Sequence, residues 1–236
     1  MRKKEELTET EINCKNLKII QKNIIKHSPH PHKVKITAVT KTFSYAAIVS
    51  AENKKIFNIG ESKIQETEKK LQGKKLNKNT KIHLIGHLQR NKASLAVKLF
   101  DVIESVDSIR LLNKINNQAE KTNKKQQVFL QINITKAPTQ TGFKEKEINK
   151  AAVEAKKLQN IQMAGIMSIG TNTNNKKTII KNFIKAKIIQ KNIQKKIDKG
   201  CTQLSLGMSQ DYILALQAGA TNLRLGTILF KDRDAN

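Results

Sequence analysis

The 236-residue sequence predicts a (β/α)8 TIM-type barrel, one domain over residues 1–236 with an extra N-terminal helix. Three observations carry this. Eight short apolar runs follow residue 33, and longer lysine-rich amphipathic stretches separate them, the pattern of alternating parallel strands and crossover helices. Eight such units in about 200 residues suit a closed barrel better than an open doubly wound sheet. Five of the runs (FNIG, HLIG, MSIG, LSLG and LRLG) end in Ile or Leu followed by glycine, which lets the backbone turn into a loop and lets a ligand approach the main chain.

Taken in order, residues 5 to about 26 form the extra helix, with Leu17, Ile20 and Ile24 at helical spacing and Thr8 or Thr10 available to start it. HSPHPH (27–32) then breaks the pattern. The predicted strands are 33–40, 55–60, 81–86, 102–106, 127–134, 161–170, 204–209 and 222–226. The predicted helices are 44–53, 62–72, 89–99, 108–122, 145–157, 177–197 and 210–218, with a short one after 226.

Composition excludes several classes. Two cysteines, Cys14 and Cys201, match no metal or CxxC spacing, so neither a disulfide framework nor a zinc site is expected. The N-terminus has no apolar core for export and no run spans a bilayer, which points to a cytoplasmic protein with no membrane partner. The formal charge of +26 invites a nucleic-acid reading. Its form disfavours one: the excess is nearly all lysine, spread over every segment, with no arginine cluster and few aromatics.

The run KVKITAVTK (33–41) delivers Lys41 to the end of the first strand. A lysine buried there loses hydration, and the neutral amine needed for a Schiff base becomes accessible. The loops after the seventh and eighth strands of such barrels often hold a phosphate group. Here they offer the hydroxyl of Ser209, the backbone of Gly226, and the backbone and hydroxyl of Thr227. Arg224, one of five arginines, stands inside the last apolar run. It has two readings, a structural salt bridge or a donor to an unprotonated heteroaromatic nitrogen in the barrel mouth. His83 and His87 cluster with Gln89, Asn91 and Lys92 without metal geometry and shape the site. Ser62 reaches a ligand or caps a helix, while Glu61, Gln65 and Glu66 suit a helix start.

The ordered set AVTK, IGESKIQE, HLIGHLQRNK, QINITKAPTQTGF, GIMSIG, LSLGMSQD and LRLGTILF resembles the pyridoxal phosphate homeostasis proteins, single-domain relatives of the alanine racemase N-terminal barrel. The resemblance runs from residue 33 onward. It implies that Lys41 holds pyridoxal 5′-phosphate (PLP) as an internal aldimine and that Arg224 faces the pyridine nitrogen. Ser209, Gly226 and Thr227 would bind the phosphate. It also implies a cofactor buffer or carrier acting on amino-acid and keto-acid balance, with PLP-dependent apoenzymes as recipients, and not an enzyme. The rival classes are a PLP-dependent racemase or lyase, and a basic nucleic-acid module. The chain departs from the family at Ser62 and Lys63, where Asn and Tyr are usual, at Ile82, near which Trp is usual, and at Lys231, where Gly is common.

Overall fold

The computed structural model describes residues 10–135, 137, 140–170 and 173–230. Its strands are β1 (Lys35–Val39), β2 (Asn58–Glu61), β3 (Lys81–Leu84), β4 (Val102–Val106), β5 (Gln126–Gln131), β6 (Ile161–Met167), β7 (Gln203–Ser205) and β8 (Asn222–Leu225). They close into a parallel barrel in sequence order, β8 returning to β1 through the pairs Lys35↔Asn222 to Ala38↔Leu225. The helices are α1 (Cys14–His27), α2 (Tyr45–Asn53), α3 (Ile64–Leu71), α4 (Ala93–Leu99), α5 (Ile109–Lys121), α6 (Ile148–Lys157), α7 (Lys176–Lys196), α8 (Tyr212–Gln217) and α9 (Thr227–Phe230). All eight predicted strands and their intervening helices are present.

The extra helix starts later than its apolar spacing suggests. Asn13, not Thr10, caps it, its side-chain oxygen accepting from the backbone N–H groups of Lys15 and Asn16. Thr8 and Lys231 lie outside the described residues. Leu17, Ile20 and Ile24 are buried against the barrel, and Asn23 donates to the Tyr212 hydroxyl at 2.7 Å, which fastens α1 to α8.

The main apolar core lies between sheet and helices, where alanines such as Ala47, Ala96, Ala152 and Ala186 let helices close on large side chains such as Phe100 and Phe183. Inside the barrel a second, smaller cluster comprises Val102, Phe129, Ala164 and Met167. Of the five glycines ending apolar runs, only Gly207 has a positive φ, 83°. Gly86 serves a different purpose: a Cβ there would stand 2.1 Å from the Ser62 carbonyl oxygen, so only glycine lets the loops after β2 and β3 touch.

Candidate functional site

The strand ends converge on a chain of buried polar side chains crossing the barrel. Arg224 on β8 donates from Nη1 to Ser205 Oγ on β7 at 2.6 Å and from Nη2 to the Ser168 carbonyl after β6 at 2.8 Å. Ser205 Oγ in turn donates to Glu104 Oε2 on β4 at 2.6 Å. Glu104 Oε1 lies 2.7 Å from His83 Nδ1 on β3. Because β4 and β8 stand opposite each other in a ring of eight, this chain must pass through the lumen. Strand alternation agrees, since Val102, two residues before Glu104, belongs to the small inner cluster.

Both charges in the lumen feel their burial. Desolvation pushes the Glu104 carboxyl up, but the hydrogen bond and charge of His83, the charge of Arg224 and the Ser205 hydroxyl outweigh it, so the group sits below the usual carboxylate range. Burial lowers the Arg224 guanidinium, against the pull of Glu104 and Asp211. Asp211 is pushed up by desolvation, partly offset by the Met208 N–H at 2.6 Å and by Arg224.

On the phosphate side, Ser209 Oγ accepts from the Ile228 N–H at 3.3 Å, so the loops after β7 and β8 are in contact. Gly226 is half-buried and Thr227 exposed beside them. A Cβ at Gly226 would meet nothing nearer than Val39 at 3.4 Å, which leaves the backbone open to approach.

Lys41 departs from expectation. It follows the end of β1 by two residues, in a turn, and is exposed where burial was expected. The turn is tight: Phe43 N–H donates to the Thr40 carbonyl at 3.1 Å, and Thr42 takes φ 71°. Glu61 also departs. It is the last residue of β2, 1% exposed, and accepts from Thr40 Oγ1 at 2.6 Å and from Lys70 Nζ at 2.5 Å, a role unrelated to starting a helix. α3 begins at Ile64 after Lys63, and Ser62 makes no side-chain cap.

His83 is buried in the network, with Nε2 lacking a hydrogen-bond partner among the described residues, as does Thr37 Oγ1 on β1, the register partner of Arg224. His87 sits further out, 3.2 Å from Asp107. Sequence reasoning missed Glu104, Ser205 and Ser168. The signal was present at Glu104, a lone carboxylate inside an apolar run that reads as a fully buried strand.

The sequence profile of the "Alanine racemase, N-terminal domain" matches residues 12–234. A relative from Synechocystis sp., named pyridoxal phosphate homeostasis protein, is 35% identical over 206 residues, covering 86% of this chain and 93% of its own. PipY of Synechococcus elongatus PCC7942, solved with PLP bound, is 29% identical with a TM-score of 0.79, over 92% of this chain and 99% of PipY. Alanine racemase of Clostridium difficile 630 shares the fold at 19% identity and a TM-score of 0.75, this chain spanning 62% of its length. The chain therefore belongs to the alanine racemase N-terminal domain family, among its pyridoxal phosphate homeostasis proteins.

Proposed function

We propose that this chain binds pyridoxal 5′-phosphate and keeps it in a protected, exchangeable form, buffering the cofactor or handing it to PLP-dependent apoenzymes in the cytoplasm. The observation that carries the reading is the buried Arg224, an always-charged donor fixed in the lumen by Ser205 and Ser168, between the β1 end and the β7–β8 loops. Two of its nitrogens are committed to those partners. The remaining N–H groups are available to a ring nitrogen that carries no proton.

The residues present fit the group. Lys41 supplies a primary amine at the barrel mouth for covalent attachment, and Ser209, Gly226 and Thr227 supply hydroxyl and backbone donors for a phosphate dianion. Beside the cofactor's own electron-withdrawing ring, the protein adds binding and orientation. An arginine at the ring nitrogen leaves that nitrogen unprotonated and the ring a weaker electron sink, which favours storage over turnover.

Racemisation requires a base on each face of the substrate α-carbon. The two tyrosines are used elsewhere: Tyr212 accepts from Asn23 of α1, and Tyr45 donates to the Lys75 carbonyl. This supports a carrier over a racemase. One closed barrel and one continuous outer core support treating residues 1–236 as a single binding domain.

The test is borohydride reduction of the full chain incubated with pyridoxal 5′-phosphate, followed by peptide mapping. A pyridoxyl mass on Lys41, absent in Lys41→Ala, is expected; a mass on another lysine overturns the assignment. Ser209→Ala with Thr227→Val should weaken retention by about 1.5–3 kcal/mol per lost hydrogen bond to the charged phosphate. Chiral chromatography of alanine, serine, lysine and glutamate should show no inversion near about 1 s⁻¹.

A further inference from the structure

A second charged pair, outside the lumen network, converges on the residue before Lys41. Every backbone and side-chain polar atom of Thr40 is engaged. Its N–H donates to the Gly60 carbonyl at 3.1 Å and its hydroxyl to Glu61 Oε1 at 2.6 Å. Its carbonyl accepts from Phe43 N–H at 3.1 Å and from Lys70 Nζ at 2.7 Å. Lys70 Nζ also contacts Glu61 Oε1 at 2.5 Å, and the two side chains are 9% and 1% exposed.

Two features of this cluster are costly. Burying an ion pair sacrifices hydration that an apolar pair of the same size would not lose, so packing alone gives no reason for Lys70 and Glu61. Thr42, a β-branched residue, holds φ 71° in the same turn, a region such side chains rarely enter. Strain of this kind persists only where its surroundings over-determine it. The surroundings here are the pair itself, which ties α3 and β2 to the turn that carries Lys41. By contrast, Lys63, just before the same helix, and Glu66 on it pair at the surface, away from the turn.

We propose that Lys70 and Glu61 are positioning residues for Lys41. Resting on the cofactor-binding reading above, the pair holds the Thr40–Phe43 turn in its strained form and so aims the Lys41 amine at the ligand aldehyde. The Lys41 nitrogen would bond the aldehyde carbon, and the aldehyde oxygen would leave as water with both hydrogens of the neutral amine; Lys70, committed to Glu61 and the Thr40 carbonyl, takes no part in that bond. Removing the clamp lets the turn relax and the amine wander. Removing the strain at Thr42 makes the clamp dispensable.

The experiment follows the full-length protein mixed with pyridoxal 5′-phosphate, quenched with borohydride at intervals, and mapped by mass spectrometry, with melting temperature measured in parallel. Lys70→Met combined with Glu61→Gln leaves no unpaired charge and should slow adduct formation on Lys41 about 10- to 100-fold. Adding Thr42→Gly should restore the rate to within about threefold of the parent, an effect a merely structural role would not produce. Lys70→Arg keeps the charge, but its larger planar group must repack where the Lys70 side chain is 9% exposed, so it too should be slower. Parental rates in both the double variant and Lys70→Arg overturn the proposal. So does a slow rate that Thr42→Gly leaves unchanged, or an adduct on Lys70. Absence of any adduct in the parent instead overturns the cofactor reading on which it rests.

Discussion

The two apolar regions of this barrel are built on opposite terms. Outside the sheet, dozens of buried side chains from every strand and helix form one continuous layer. Inside it, Val102, Phe129, Ala164 and Met167 make a small plug, and the rest of the described lumen network is charged or polar. The outer layer holds the strands in register regardless of what fills the barrel. The lumen is thereby free to carry a buried arginine and glutamate joined through the Ser205 hydroxyl.

Substitutions should separate the two regions. Arg224→Met removes the cation that faces Glu104 across Ser205 and leaves the Ser205 hydroxyl and the Ser168 carbonyl without their donor, so a loss of about 3–5 kcal/mol by urea denaturation is expected together with loss of cofactor retention. Phe100→Ala, in the outer layer, should cost a similar 3–5 kcal/mol or about that, yet leave retention at permissive temperature unchanged. If Phe100→Ala released cofactor as readily as Arg224→Met, the division would fail.

A pH series sharpens the contrast within the lumen. The folded-state value of Glu104 lies below its usual 4.5, so its stabilisation is complete above that pH and is lost as pH falls through the folded value. Glu104→Gln should flatten the acid limb of the stability curve. Asp211 is shifted upward, so acidification relieves a cost there, and Asp211→Asn should steepen the same limb. The smallest effect belongs to the surface: Ile25, 73% exposed on α1, should tolerate threonine within about 0.5 kcal/mol.

The architecture was legible because parallel strands covered on both faces read as apolar runs, and all eight runs became strands. Arg224 was legible because a charge inside such a run is rare. Glu104 is the same anomaly with the opposite sign, but VIESV reads as one more apolar strand until the fold sets Arg224 across from it. Lys70 could not stand out among so many lysines, since only the approach of α3 to the end of β1 distinguishes it. Glu61 was misread because acidic residues near a helix start are common, and its partners lie on other elements. The burial expected at Lys41 failed for a local reason: the strand ends at Val39, and Lys41 falls in the exposed turn that follows it.

The pairing of the first strand with the last has a consequence for the order in which the molecule is made. Contacts among β1, β2 and α3, including the Lys70 clamp, join neighbours in sequence and can form on a nascent chain. β8 must complete the ring by finding β1 across almost the entire polypeptide, the kind of distant pairing that slows folding. Arg224, Gly226 and Thr227 all arrive with that final step. On the proposed assignment of these residues, a chain still on the ribosome would carry the lysine without the pocket, and a cofactor that binds only the shut ring would draw such chains to completion by mass action.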